Sequence, residues 1–122
     1  MVATTRRAGA DVRLEADVPL GLDPAVELNA YRVVQEAVSN AVRHAPEAVV
    51  QVAVRVIGSE LRLTVVNGPG RIDIRTALGS GHGLIGMRER MALVDGTLHA
   101  GPTADGGYLV EAAIPMSEDV DR

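Results

Sequence analysis

At 122 residues the chain fits one domain, long enough to bury a single core without staples. A net charge of −4 with no basic run excludes the electrostatic footprint of a nucleic-acid binder, and the absence of cysteine excludes disulfides and thiolate metal sites. No apolar run reaches membrane-spanning length and no signal-peptide pattern opens the chain, so a soluble, cytoplasmic protein without membrane contact of its own is expected. Phe and Trp are missing, so the core falls to Val, Leu, Ile, Ala and Met; Lys is missing too, so no lysine can hold a phosphate or form a Schiff base.

Residues 1–7 are polar and aperiodic, which suits a linker or a cut end. Asp11 to Val18 alternates polar and apolar over eight residues and predicts a half-buried strand, broken by Pro19, Gly21 and Pro24. Asp23 supplies an N-cap with Pro24 at the first helical position, so a helix should run from Pro24 to His44, where Pro46 stops it. Ala48 to Ile57 and Leu61 to Val66 read as a hairpin around Gly58-Ser59. Asn67 to Gly81 is loop-like. Leu84, Met87, Met91 and Val94 recur at helical spacing, and Gly96 ends that helix. Thr97 to Ala100 and Tyr108 to Ile114 are two further strands around Gly106-Gly107, and residues 117–122 form an acidic tail. The order βαββαββ suggests a two-layer α/β sandwich, its sheet mixed but mostly antiparallel, with the helices on one face.

Two stretches carry candidate chemistry. On the first helix, at about 100° per residue, Val34, Val38, Ala41 and Ala45 form an apolar side edged by Ala30 and Ala37. Glu36, Asn40, Arg43 and His44 fall together opposite it, so a carboxylate, an amide, a guanidinium and an imidazole share one row. Such a row is read either as a solvated face or as a site. The second stretch, Gly79 to Arg90, sets glycines at 79, 81, 83 and 86 before and into a helix start, where free N–H groups and the helix dipole can close on an anion. It lacks the Lys and Ser/Thr of a Walker loop and the βαβ surroundings of a dinucleotide fingerprint.

Together the stretches resemble the GHKL ATPase superfamily. Glu36-x-x-x-Asn40-x-x-Arg43-His44-Ala45 matches its N box, and Gly81-His82-Gly83-Leu84-Ile85-Gly86-Met87-Arg88-Glu89-Arg90 is similar to its second glycine box. Both, with the ending Gly107 to Pro115, resemble the catalytic, ATP-binding domain of sensor histidine kinases of the nitrate-sensor and desaturase-thermosensor type. The likeness spans residues 8–116 and implies a Bergerat-type fold. It implies further that Asn40 coordinates Mg²⁺ through its amide oxygen, and that Glu36 orients or deprotonates the histidine that attacks ATP. Arg43 and His44 would face the phosphates, and the amides of Gly81, His82, Gly83 and Leu84 would cradle them; the His82 side chain is read as a phosphate contact or as solvated.

The first glycine box of that family reads Asp-x-Gly-x-Gly, its Asp meeting the adenine amine. Here Asn67-Gly68-Pro69-Gly70 stands in its place, so Asn67, Gly68 and Gly70 are nucleotide-binding candidates, and a plain Asn-Gly turn is the competing reading. Tyr108, also a candidate, replaces the usual threonine after the last glycine, and Asp95 stands where the family often has Gly. Met87 and Met91 are expected in the core. His99 and the arginines 71, 75, 88 and 90 are expected at the surface.

The reactive histidine of such kinases lies on a dimerisation segment ahead of the ATPase domain, and His44, His82 and His99 occupy no such segment. The resemblance therefore implies a catalytic domain that phosphorylates a histidine on a segment of the same full-length kinase, with a response regulator downstream. The kinase could be cytoplasmic or the cytosolic part of a membrane-bound sensor. The alternatives are an anti-sigma-factor-type serine kinase of the same superfamily and a degenerate nucleotide-binding or interaction module.

Overall fold

The computed structural model describes residues 2–7, 10–18, 21–44, 48–69 and 82–116, with side chains for all of these except 2–7, 10, 44 and 82. The elements are β1 (Val2–Arg7), β2 (Ala10–Ala16), α1 (Pro24–His44), β3 (Val49–Ile57), β4 (Glu60–Asn67), α2 (His82–Ala92), β5 (Thr97–Pro102) and β6 (Tyr108–Pro115). The six strands form one sheet in the order β1-β2-β3-β4-β6-β5. All neighbours are antiparallel except β2 and β3, which α1 connects as a parallel crossover.

Alternation in the sequence becomes rows across the sheet. Leu14, Val52, Val65, Val110 and Ala100 sit side by side in one row, and Ala16, Val54, Leu63, Ala112 and Leu98 in the next. These rows meet α1 and α2 from one side, and Met87 and Met91 are buried between the layers as expected. A fully buried Leu, Val or Met side chain contributes about 1.5–3 kcal/mol, so a core without Phe or Trp still holds a domain of this size. A third row runs Val12, Val50, Asn67, Tyr108, and it places the Asn67 amide between an apolar side chain and an aromatic one.

Both helix ends follow from local chemistry. Asp23 Oδ1 accepts from the Ala25 N–H at 2.8 Å, and Pro24 takes the first helical position. At the end of α2 the Gly96 N–H donates to Met91 O at 2.7 Å and the Asp95 N–H to Ala92 O at 3.3 Å, a Schellman closure. Asp95 sits at its left-handed position, φ 58°, which explains why glycine suits that place. The α2 helix runs His82–Ala92, with Val94 in the closing turn rather than in the helix.

Residues 2–7, expected as a linker or cut end, instead form the edge strand β1, with Thr4 opposite Arg13 and Thr5 opposite Val12. Strand pairing joins backbones, so an edge strand needs no apolar alternation to be held. The other correction concerns the row on α1. Its buried stripe centres on Val33 and Ala37, with Ala30, Val38 and Ala41 around them, while Val34 is only half-buried. Asn40, expected opposite the core, is 5 % exposed and lies on the flank of that stripe. Glu36 and Arg43 beside it remain in solvent.

Candidate functional site

Three stretches of backbone carry the candidate residues: α1, the end of β4 and the turn into β6. The first is α1, whose turns place Glu36 and Asn40 one above the other. Asn40 Oδ1 accepts from Arg43 Nη2 at 2.6 Å, while its buried Nδ2 has no partner among the described residues. An orphaned buried amide costs about 1–3 kcal/mol, so the fold alone gives no reason to keep it. Among the described residues Glu36 has no ion-pair or hydrogen-bond partner, which leaves its carboxylate free to act on something brought to it.

The second backbone is the end of β4. Asn67, 4 % exposed, is pinned between Val50 and Tyr108, and Gly68 N–H continues the pairing onto Val49 O at 3.2 Å. Its Nδ2 donates to Gly68 O at 2.9 Å. That bond turns the carbonyl half of the amide into the one without a partner among the described residues, so Asn67 presents an acceptor, as an aspartate would.

The third is the turn into β6. A Cβ on Gly107 would lie 2.1 Å from the Asn67 backbone oxygen, so only glycine lets this turn close onto β4. The Gly107 N–H donates to Thr103 Oγ1 at 2.9 Å and to Asp105 Oδ1 at 3.1 Å. The hydrogen bond from Thr103, then that from Gly107, holds the Asp105 carboxyl below its ordinary value of 3.8. Burial pushes the Tyr108 hydroxyl up from its ordinary value of 10, and the Arg88 charge on α2 pulls it partly back.

The structure thus brings Asn67, Gly68 and Tyr108 together, and Glu36, Asn40 and Arg43 together. Gly83 and Leu84 lie in the first turn of α2, Leu84 packed against the core and Gly83 facing a groove toward α1. Gly70 and Gly81 lie outside the described residues, as do the side chains of His44 and His82. Among the described residues no group of three or more His, Asp or Glu could hold a metal ion. Sequence reasoning missed Gly107 as the piece that locks Asn67 in place. It also missed Arg32, which lines the groove with Glu36; its spacing of four from Glu36 was the available signal.

The model of histidine kinase-, DNA gyrase B- and HSP90-like ATPases matches residues 25–118, a span that takes in all three backbones. The chain belongs to that ATPase family. It is an ATP-binding domain of the histidine kinase type. It is 33 % identical over 97 residues to the oxygen sensor histidine kinase NreB of Staphylococcus carnosus (strain TM300), covering 79 % of this chain and 28 % of NreB. It thus spans under a third of that relative's length. The blue-light activated histidine kinase EL346 of Erythrobacter litoralis is similar in structure, with a TM-score of 0.71 at 24 % identity over 92 % of this chain and 40 % of that one. Acinetobacter baumannii histidine kinase AdeS has the same fold, with a TM-score of 0.69 at 17 % identity, over 91 % of this chain and 56 % of that one. These relatives favour neither the serine-kinase alternative nor the degenerate module. No described helix of the ATPase domain is long and apolar enough to cross a membrane.

Proposed function

We propose that this ATPase domain binds Mg²⁺-ATP across α1, the end of β4 and the start of α2, and passes the γ-phosphoryl group to a histidine on a dimerisation segment of a longer kinase. A response regulator would then take the phosphoryl group onward. The observation that carries this reading is Asn40, a buried amide whose oxygen is held by the exposed Arg43 and whose nitrogen has no partner among the described residues, one turn from the Glu36 carboxylate.

The residues fit the cofactor. Mg²⁺ prefers hard oxygen donors, keeps several waters, and shares its shell with phosphates, so one amide oxygen with no carboxylate cage suits it. Bound Mg²⁺-ATP would supply the phosphoryl group and the charge that neutralises it. Asn40 would turn its oxygen to the metal, releasing Arg43 to a phosphate, to which a guanidinium bonds more strongly than to a neutral amide. Glu36 would orient the incoming imidazole of the acceptor histidine or take its ring N–H proton. Asn67, its amide held by Gly68 O, would accept from the adenine amine with Tyr108 alongside, and the backbone N–H groups at Gly83 and Leu84 would face the phosphates. Little covalent work falls to the protein, since positioning and charge neutralisation do most of it.

Calorimetric titration of the chain with ADP, with and without Mg²⁺, tests the reading. Binding that strengthens with the metal is expected, and no self-labelling from γ-labelled ATP, since the acceptor histidine belongs to another segment. Absence of binding, or equal affinity with and without Mg²⁺, would overturn it.

A further inference from the structure

The start of α1, the end of α2 and the end of β6 meet around an open pocket of about 580 Å³, walled by Leu22, Val26, Leu93, Val94 and Met116. Val26 precedes Asn40 by 14 residues of α1, about 21 Å along the helix axis, so this pocket lies apart from the proposed nucleotide site. Two backbone hydrogen bonds bring further strands to the same end. Met116 N–H donates to Ser59 O at 2.8 Å, which sets the β3–β4 turn beside the pocket wall, and Asp17 N–H donates to Val54 O at 2.8 Å, which carries the chain past β2 along β3.

Apolar side chains are left uncovered here. Leu93 is 74 % exposed, the most open of the large apolar residues described, and Val18 and Val56, just past β2 and near the end of β3, are exposed as well. The Leu93 N–H closes the last turn of α2 onto Glu89 O at 3.2 Å, a backbone task that asks for no particular side chain. The core is filled without it, so folding gives no reason for a leucine in water at this place.

Charge narrows what could cover the surface. Asp23 and Asp95 stand on the pocket wall, Glu27 follows one turn after Asp23, and among the described residues no arginine lines the pocket. Arg55, near the end of β3, is committed to Glu15 at 2.6 Å. An anionic membrane or a nucleic acid would meet carboxylates and no answering cation. A second copy presenting the same end would set these carboxylates against their own kind. A helical segment with an apolar stripe edged by Lys or Arg meets both features, its stripe in the pocket and its cations at the rim. We infer that this end of the domain is a docking surface for a basic amphipathic helix of a partner protein, anchored by Leu93 and selected by Asp23, Glu27 and Asp95.

The test is a titration of the isotope-labelled chain with three helical peptides that share a leucine stripe and differ only in edging it with Lys, Gln or Glu. The Lys peptide is expected to shift the amide resonances of Leu22, Val26, Leu93 and Asp95, to leave those of Asn40 and Gly83 in place, and to bind about five- to tenfold more tightly than the Gln peptide, the size two partly exposed ion pairs supply. Leu93→Ser should weaken all three peptides about tenfold or more, and its exposure means that the melting temperature stays where it was. Asp95→Gly should narrow the preference for Lys over Gln about two- to threefold with the fold intact, since glycine is at ease at the φ of 58° found there. Equal binding of the three peptides, shifts confined to the Asn40 end, or peptide affinity untouched by Leu93→Ser would overturn the inference. So would the same resonances moving with phosphatidylglycerol vesicles, which would make the surface a membrane contact, or moving with protein concentration alone, which would make the occupant a second copy.

Discussion

Two asparagines on α1 are buried to nearly the same degree, Asn29 at 7 % exposure and Asn40 at 5 %, and three turns of helix set them on the same flank. Asn29 closes its account locally: its Nδ2 donates to Ala25 O at 2.9 Å. Asn40 accepts from Arg43 with its oxygen, and its nitrogen has no partner among the described residues. One amide is finished by the fold, and the other waits for something the fold does not contain. Residue type and burial are matched, so the difference lies in hydrogen-bond satisfaction, and that is what separates a structural polar residue from a proposed site residue here.

The largest expected effect probes the neighbour of the unfinished amide. Glu36→Gln should cut phosphotransfer to an added acceptor segment by about 10²–10⁴-fold, while Mg²⁺-ADP affinity, measured by calorimetry, stays within about twofold. The pair itself comes next. Asn40→Ala should weaken Mg²⁺-ADP by about 10–100-fold and by much less in chelator, whereas Asn29→Ala should leave it unchanged. Equal losses from the two substitutions would erase the distinction between them.

A third buried asparagine sharpens the comparison. Asn67 resembles Asn29 in that its nitrogen donates to a backbone carbonyl, here Gly68 O, and its oxygen is the atom proposed to meet the base. Asn67→Asp should raise the ATP-over-GTP ratio by about three- to tenfold in competitive titration, because a carboxylate accepts from the adenine amine and repels the guanine carbonyl. The gain is held to that range because the new oxygen also meets Gly68 O. An unchanged ratio would put residue 67 outside the base pocket.

The same contrast predicts unlike stabilities without nucleotide. In urea unfolding, Asn29→Ala should lose about 0.5–1.5 kcal/mol, and Asn40→Ala should stay within about 0.5 kcal/mol of the parent because relief of the orphaned nitrogen offsets the lost Arg43 contact. The smallest effect belongs to Asp105, a finished polar group like Asn29, but at the surface. Its carboxyl is held low by Thr103 and Gly107, so its contribution is present above the unfolded value of 3.8 and is lost as pH falls through the folded one. The gap in melting temperature between the parent and Asp105→Asn should hold from about pH 7 to 5 and shrink below about pH 4.

Local signals carried much of this into view from the sequence. Asp23-Pro24 marked the start of α1, and alternation gave the strands whose inward residues became the sheet rows. The glycine stretch marked the start of α2. Asn40 was legible as a member of a row but not as buried, because a helical wheel sorts residues by polarity, while burial is decided by what packs against the helix. For the same reason Val33, absent from the expected apolar side, turned out to be its centre. Val2–Arg7 gave no signal because an edge strand can be held by backbone pairing alone. The closeness of Gly107 to Asn67 joins residues 40 apart in sequence, and no local pattern encodes it.

The strand order has a consequence for how the domain is made. The last strand among the described residues, β6, is an interior strand, paired with β4 on one side and β5 on the other. During synthesis β4 and β5 therefore wait for a common neighbour that leaves the ribosome after both, and until it arrives the sheet exposes an open edge inside its own core. A chain ending before Tyr108 would lack this bridge along with one wall of the proposed base pocket. Completion of the sheet and completion of that pocket are then a single late event in the life of the nascent chain.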